Sequence, residues 1–118
     1  DIITMAHRYG KAVIPGCFTP TEILTAYESG ADMVKVFPAS SLGPRYFKDI
    51  LGPLPQLKLT PTGGVGLENA AEFIRAGAKC LGVGTAMLDK KMINESDWEG
   101  LSQRASAFVE AVITGRQN

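Results

Sequence analysis

The stretch Met33-Val34-Lys35-Val36-Phe37-Pro38 decides how the rest of the sequence is interpreted. It sets β-branched residues among large apolar ones and stops at a proline, which predicts a strand over Asp32 to Phe37. Side chains alternate along a strand, so Met33, Lys35 and Phe37 share one face while the two valines share the other. The valines are suited to packing against helices.

Lys35 is the candidate for chemistry in this stretch. The strand is expected to be buried on both faces, so the Lys35 ammonium lies between two large apolar side chains, and such burial costs several kcal/mol unless the charge is paired or the proton is lost. Desolvation lowers the pKa of a lysine and frees the amine to attack a ketone. The alternative is that the stem is buried and the ammonium reaches water at the strand end. The segment by itself leaves both readings open.

Strand-like and helical segments alternate along the whole chain. Further strands are predicted over Ala12 to Pro15, Leu57 to Pro61 and Cys80 to Val83, each followed by a segment with helical spacing. This order predicts an α/β fold in which helices cover a parallel sheet. An open doubly wound sheet and part of an eight-stranded βα barrel both fit the pattern.

Several helix boundaries can be predicted from local signals. The opening residues from Ile2 are already in helical register, as expected for a segment of a longer protein. Thr19-Pro20-Thr21-Glu22 predicts a capping box, and Ser96-Asp97-Trp98-Glu99 predicts another before the last helix. Gly115 is expected to end that helix, and Arg116-Gln117-Asn118 is expected to fray.

Two glycine turns follow the last two predicted strands. Thr62-Gly63-Gly64 and Gly82-Val83-Gly84-Thr85 would let backbone N–H groups approach an anion. Either turn alone is more simply explained as a tight strand-to-helix connection. Their presence in successive units favours a phosphate site, which βα barrels often place there.

Other functional readings find weaker support. A dinucleotide-binding loop would need G-x-G-x-x-G, and Gly82-Val83-Gly84-Thr85-Ala86-Met87 lacks the last glycine. His7 is expected on the surface, Trp98 in the core, and Lys90-Lys91 in a solvated turn. Cys17 and Cys80 have no metal-ligand spacing and are expected to be small core residues in a reducing compartment.

Composition excludes some classes of protein. The 118 residues are 45% hydrophobic and 20% charged, and the formal net charge is +0, which favours neither nucleic acid nor an anionic membrane as a partner. No apolar run approaches the length of a membrane-spanning helix, and no signal segment opens the chain. A cytoplasmic location is therefore expected.

Together these motifs resemble one family, the 2-keto-3-deoxy-6-phosphogluconate (KDPG) aldolases and the related 4-hydroxy-2-oxoglutarate aldolases. The resemblance covers about residues 2–88 and rests on the order and spacing of its motifs: Ile14-Pro15-Gly16, Lys35-Val36-Phe37-Pro38-Ala39, Pro61-Thr62-Gly63-Gly64 and Gly82-Val83-Gly84-Thr85. It implies a (βα)8 TIM barrel of class I aldolase type, in which residues 1–118 form the C-terminal half of one domain. That half would comprise about the last four βα units and a C-terminal helix, in a protein that is a homotrimer.

The resemblance also implies roles for individual residues. Lys35 matches the Schiff-base lysine, and the substrate-binding residues would be Phe37, Thr62, Gly63, Gly64, Gly84 and Thr85. Thr62 lies near the pyruvyl end and the glycines with Thr85 cradle the phosphate; the family often has serine where Thr85 stands. The family's acid–base glutamate and carboxylate-binding arginine have no counterpart in this chain, and neither Glu22 nor Arg45 replaces them.

The implied activity is that of a carbon–carbon lyase of the Entner–Doudoroff type. The enzyme would cleave KDPG to pyruvate and glyceraldehyde 3-phosphate, and 4-hydroxy-2-oxoglutarate to pyruvate and glyoxylate. It would need no metal or organic cofactor, since the iminium is the electron sink, and its partners would be small keto acids, with no nucleic acid or membrane. The alternatives are a phosphosugar isomerase or epimerase barrel, and an inactive half barrel that binds only phosphate. The chain alone is expected to turn over very slowly.

Overall fold

A computed structural model describes residues 1–117, and its architecture is α/β, as predicted. The helices are α1 (Ile2–Arg8), α2 (Pro20–Glu28), α3 (Gly43–Leu51), α4 (Leu67–Arg75), α5 (Lys90–Asn94) and α6 (Trp98–Arg116). The strands are β1 (Gly16–Cys17), β2 (Val34–Val36) and β3 (Leu59–Pro61), and a 3-10 turn spans Ala39–Ser41. Strands and helices alternate up to α4, as the apolar runs predict.

The three strands form one parallel sheet in the order β1-β2-β3 within residues 1–117. The first strand was predicted one segment too early, over Ala12 to Pro15, because Pro15 has no N–H to donate and the ladder with β2 starts only at Gly16. The carbonyl of Pro15 still accepts a hydrogen bond from the Lys35 N–H at 2.9 Å. The predicted fourth strand is reduced to one bridge, between Thr62 and Gly82. Gly82 within this short segment and Gly84 directly after it weaken its pairing.

The core lies between the sheet and the helices. Val34 and Val36 are almost completely buried, as predicted for the face of β2 that meets helices. Phe47 of α3 and Phe73 of α4 meet edge to face with ring centroids 5.3 Å apart, a favoured aromatic geometry. Further core residues come from β3, from helices α2 to α4 and from the segments that connect these elements: Ile23, Ala26, Ala39, Ile50, Leu57, Leu59, Val65, Ile74, Ala76 and Ala78. We call the valine side of the sheet the outer face and the Lys35 side the inner face.

The helix ends agree with the sequence at one capping box and differ at the other. Thr19 caps α2 and forms the predicted reciprocal box with Glu22. At α6 the cap is Asp97, which accepts from the Gly100 N–H, while Ser96 has a positive φ of 55°. The prediction was wrong by one residue, because serine and aspartate are comparable caps and sequence alone does not rank them.

Two other local predictions at the C-terminal end were wrong. Lys90 and Lys91 begin the short helix α5 instead of forming a turn, because the Asp89 side chain accepts from the N–H groups of Lys91 and Met92 and caps that helix. Gly115 lies inside α6, which ends at Arg116. The expectation of fraying at Asn118 falls outside the described residues.

Burial departs from expectation at two residues. Cys80 is exposed, whereas Cys17 is partly buried, and both are free. Trp98 is 63% exposed. Helix α6 packs tightly against α4 at its other end, where a Cβ on Gly115 would lie 2.8 Å from the Ala71 carbonyl oxygen. In the described part of the chain, no helix combines the length and apolar character needed to cross a membrane.

Candidate active site

Lys35 occupies the middle of β2 on the inner face of the sheet. Its register partners are Gly16 on β1 and Thr60 on β3, so the three residues are directed to the same side. The lysine side chain runs across Gly16, where an ideal Cβ would lie 2.9 Å from Cε and 3.5 Å from Nζ. The missing side chain at Gly16 therefore leaves the space through which the amine extends.

The amine also lies beside Phe37. The Nζ atom of Lys35 is 5.3 Å from the centroid of the Phe37 ring, within cation–π distance. Phe37 is 50% exposed, and Lys35 is half-buried. The expectation that β2 is buried on both faces was wrong, because within residues 1–117 the helices cover only the outer face.

The two glycine turns meet in one cavity of ≈ 470 Å³, the glycine cavity. Every residue predicted to bind substrate lines it, and so do several that sequence reasoning missed. The lining is Phe37, Thr62, Gly63, Gly64, Val65, Gly66, Leu67, Glu68, Gly82, Gly84, Thr85, Ala86 and Arg104. Lys35 is not part of this lining, and Phe37 joins the lysine to the cavity.

The first turn depends on glycine at both positions. Gly63 and Gly64 have φ of 86° and 73°, in the left-handed region that side chains disfavour. A Cβ on Gly64 would also lie 2.9 Å from the Ser40 Cα. Asn69 of α4 fixes the turn from the other side by donating to the Gly64 carbonyl at 2.9 Å and accepting from the Gly66 N–H at 3.0 Å.

Thr62 joins the elements at the carboxyl end of the sheet. Its N–H donates to the Val36 carbonyl at 3.1 Å, and its carbonyl accepts from the Ala39 N–H at 2.9 Å. On the preceding strand, the buried Thr60 hydroxyl donates to the Cys80 carbonyl at 3.1 Å. These bonds bring the segment around Gly82 beside β3, and the second glycine turn beside the first.

The acidic and thiol groups near β1 have structural partners. Glu22 accepts hydrogen bonds from the N–H groups of Thr19 and Phe18, both at 2.8 Å, and these bonds lower the pKa of its carboxyl. The Tyr46 hydroxyl donates to the Phe18 carbonyl at 2.6 Å, so α3 also holds this loop. Burial raises the pKa of the Cys17 thiol, which disfavours the reactive thiolate. Glu22 serves the loop after β1.

Two other charged or titratable residues lie on the surface, each beside an aspartate. Arg45 is almost fully exposed on α3 and its Nε lies 3.7 Å from Asp49 one turn later, which places it in a surface ion pair. His7 is on the surface, as expected, and its Nε2 lies 3.0 Å from Asp32. That contact lowers the pKa of Asp32 and joins α1 to the residues before β2.

Sequence reasoning missed the charged residues of the glycine cavity. Glu68 lies in the first turn of α4, with its carboxylate against Gly66. Arg104 comes from α6, far along the chain from either turn, and its Nη1 donates to the Ala86 carbonyl at 2.9 Å. A position next to the glycines could have indicated Glu68, whereas no local signal indicates Arg104.

Comparison with known proteins agrees with this arrangement. A family model described as KDPG and KHG aldolase matches residues 1–104. The chain is 41% identical over 112 residues to a 2-dehydro-3-deoxy-6-phosphogalactonate aldolase of Escherichia coli, covering 94% of this chain and 53% of that protein. It therefore spans about half the length of this curated relative.

Solved structures show the same likeness. A structure described as native KDPGal has a TM-score of 0.86 at 38% identity, and the match covers 99% of this chain and 55% of that one. A second structure is a KDPG aldolase of Legionella pneumophila in which pyruvate was captured as a covalent carbinolamine. It has a TM-score of 0.72 at 26% identity, and the match covers 93% of this chain and 50% of that one. With the family model matching most of its length, the chain belongs to the KDPG and KHG aldolase family.

Proposed function

We propose that the protein is a class I aldolase that cleaves 2-keto-3-deoxy-6-phosphogluconate to pyruvate and glyceraldehyde 3-phosphate, with 4-hydroxy-2-oxoglutarate as a second substrate. The observation that supports it most directly is the position of Lys35. Its amine extends over Gly16 on the inner face, and the Phe37 ring beside it lines the glycine cavity. A nucleophilic amine next to a cavity rich in backbone N–H groups fits a keto acid with a phosphate at its far end.

In the proposed reaction, the unprotonated Lys35 amine attacks the C2 ketone and gives a carbinolamine. Loss of water produces an iminium, whose nitrogen accepts the electron pair of the C3–C4 bond while a base takes the proton of the C4 hydroxyl. Glyceraldehyde 3-phosphate leaves, and the enamine that remains is protonated at C3. Hydrolysis then releases pyruvate and restores the amine. The carbinolamine captured in the Legionella pneumophila relative corresponds to the first of these intermediates.

We assign the remaining predicted residues by their places around the cavity. Phe37 and Thr62 stand nearest to β2 and would contact the pyruvyl part of the substrate. Gly63 and Gly64, together with Gly84 and Thr85, would hold the phosphate with backbone N–H groups and a hydroxyl. The proposal assigns the acid–base role to none of residues 1–118.

We propose further that residues 1–118 are the C-terminal half of a (βα)8 barrel, comprising strands five to eight, and that the complete protein is a cytoplasmic homotrimer. The parallel order β1-β2-β3, continued by the Thr62–Gly82 bridge, supports the barrel. The free thiols of Cys17 and Cys80 fit a reducing compartment. Sedimentation of the complete protein tests the assembly, and a monomer at working concentrations would contradict the trimer.

Borohydride trapping tests the chemistry. We expect pyruvate with borohydride to attach a reduced adduct to Lys35, located by peptide mass spectrometry, and Lys35→Arg to abolish it. Lys48→Arg, on the exposed face of α3, is the matched control and should retain the adduct. An unmodified Lys35 in the active protein would contradict the Schiff-base mechanism. It would favour the alternative function, an isomerase or epimerase that uses the same glycine turns.

The isolated chain gives a second test. We expect very low turnover from residues 1–118 alone, since the family's acid–base glutamate and carboxylate-binding arginine have no counterpart here. Turnover at the rate of the complete protein would show that the chain supplies its own acid–base group.

A further inference from the structure

The glycine cavity contains one cationic side chain among the described residues that line it, and that side chain is Arg104. It reaches the cavity from α6, on the side where the second glycine turn continues into Ala86. The side chain is 32% exposed and lines the cavity, so a ligand there can reach it. Its position links the last helix of the chain to the phosphate end of the proposed site.

The guanidinium is held in a fixed orientation. Nη1 of Arg104 donates to the Ala86 carbonyl at 2.9 Å and lies 3.9 Å from the Asp89 carboxylate. Asp89 is itself fixed, because Oδ1 accepts from the N–H groups of Met92 at 3.1 Å and Lys91 at 2.8 Å, and these bonds help lower the pKa of its carboxyl. An arginine has five N–H donors, so this anchoring leaves several of them for a ligand.

The charge balance of the cavity gives Arg104 its role. The other candidate phosphate donors are neutral backbone N–H groups and the Thr85 hydroxyl, and the one carboxylate in the lining, Glu68, would repel an anion. A phosphate ester carries a charge of about −1.5 to −2 at neutral pH. A planar guanidinium is the side chain best suited to hold such a group through paired hydrogen bonds.

We propose that Arg104 is the cationic ligand of the substrate phosphate and that it sets the preference for phosphorylated over unphosphorylated keto acids. The proposal rests on the proposed function for the nature of the substrate. The proposal adds a residue of the C-terminal helix to the phosphate site formed by the two glycine turns. The bond to Ala86 also means that the same side chain orients the turn that carries Gly84 and Thr85.

Comparison of two substrates tests the proposal in the complete protein. For Arg104→Gln we expect KM for 2-keto-3-deoxy-6-phosphogluconate to rise about tenfold or more, the range for loss of a charge-assisted hydrogen bond. KM for the unphosphorylated acid should change by less than about twofold, and kcat should change little for either substrate. Arg104→Lys keeps the positive charge but loses the paired N–H donors of the guanidinium, so its KM for the phosphorylated substrate should lie between those of the parent and Arg104→Gln. An equal loss on both substrates, or no loss on either, overturns the proposal.

Arg116 provides a matched control on the same helix. Its Nη2 lies 3.4 Å from the Lys79 carbonyl, so it too directs a guanidinium at a backbone oxygen, but it does not line the glycine cavity. Arg116→Gln should leave KM for both substrates within about twofold of the parent. A selective loss on the phosphorylated substrate in this variant would show that net positive charge on α6, and not Arg104 as a ligand, is responsible.

A titration with inorganic phosphate covers the case in which an Arg104 variant does not fold. In the unaltered protein we expect phosphate to shift the side-chain Nε–H resonance of Arg104 in step with the amides of Gly63 and Gly84. Glycine shifts without an Arg104 shift at saturating phosphate would overturn the proposal. This readout requires no turnover, whereas failure of the aldolase assignment would appear as an absence of borohydride trapping at Lys35.

Discussion

Lys35 and Gly16 are register partners on neighbouring strands, and the lysine side chain occupies the space that a side chain at Gly16 would fill. An ideal Cβ at Gly16 lies 2.9 Å from the Lys35 Cε. Because the atom it meets is near the end of a flexible side chain, the lysine can move aside at small cost in stability. The direction of the amine would change instead.

Gly16→Ala should therefore reduce catalysis much more than stability. We expect the rate of borohydride trapping with pyruvate to fall about 10- to 100-fold, the usual effect of displacing a reacting group by about an ångström. The free energy of unfolding should change by less than about 1 kcal/mol. Gly52→Ala, at the end of α3 where the new Cβ meets the Lys48 carbonyl oxygen at 3.4 Å, is the control. Equal trapping rates in the two variants would refute this account.

Gly64→Ala should affect folding as well as the cradle. The backbone φ of 73° and the approach to Ser40 predict a loss of at least about 2 kcal/mol in the free energy of unfolding. Gly84→Ala is the comparison for stability, since a Cβ there meets nothing within 4 Å, and its cost should stay below about 0.5 kcal/mol. Urea denaturation measures both, and similar losses would contradict the structural distinction between the turns.

Two phenylalanines should respond to the same substitution in opposite ways. Phe47 is completely buried against Phe73, so Phe47→Ala should cost about 3–5 kcal/mol of stability. Phe37 is 50% exposed, so Phe37→Ala should cost about 1 kcal/mol or less but raise KM for the keto acid. Thermal unfolding and steady-state kinetics separate the two effects, and a Phe37 variant with unchanged kinetics would remove this ring from the site.

The carboxyl of Glu22 should make stability depend on pH. Its pKa is lowered in the folded protein by the N–H groups of Thr19 and Phe18, so its contribution is present above the unfolded pKa of about 4.3 and is lost as pH falls through the folded value. Glu22→Ala should be less stable than the parent at pH 7, and the difference should shrink below about pH 4. Glu28→Ala, at the exposed end of the same helix, controls for loss of a carboxylate; the same pH dependence in both would contradict the assignment.

The features that sequence predicted well are those set by near neighbours along the chain. Alternation around Lys35 gave the correct inner and outer faces, and the Thr19 capping box was confirmed. The glycine turns were also correctly grouped, because parallel strands bring their carboxyl ends to one edge of a sheet. The site lining at Phe37, Thr62 and Thr85 follows from that rule.

The features that sequence missed depend on partners remote in the chain. Burial at Lys35 is set by what covers the inner face, which the pattern of β2 does not encode. The place of Arg104 depends on how α6 packs against α4, and its helical neighbours give no sign of it. The second cap failed for a different reason, since Ser96 and Asp97 are both good caps and the positive φ of Ser96 is decided by the preceding turn.

The last helix has a consequence for how the site would fail. The segment around Gly82 pairs with the sheet through one isolated bridge, and beyond that bridge Arg104 attaches the second glycine turn to α6 at Ala86. Damage that breaks this attachment should therefore release the anion-holding end first and leave the amine on β2 in place. Such a protein would still form an imine with free pyruvate but would bind longer phosphorylated acids more weakly. The two ends of the site can therefore fail separately, because α6 contacts only one of them.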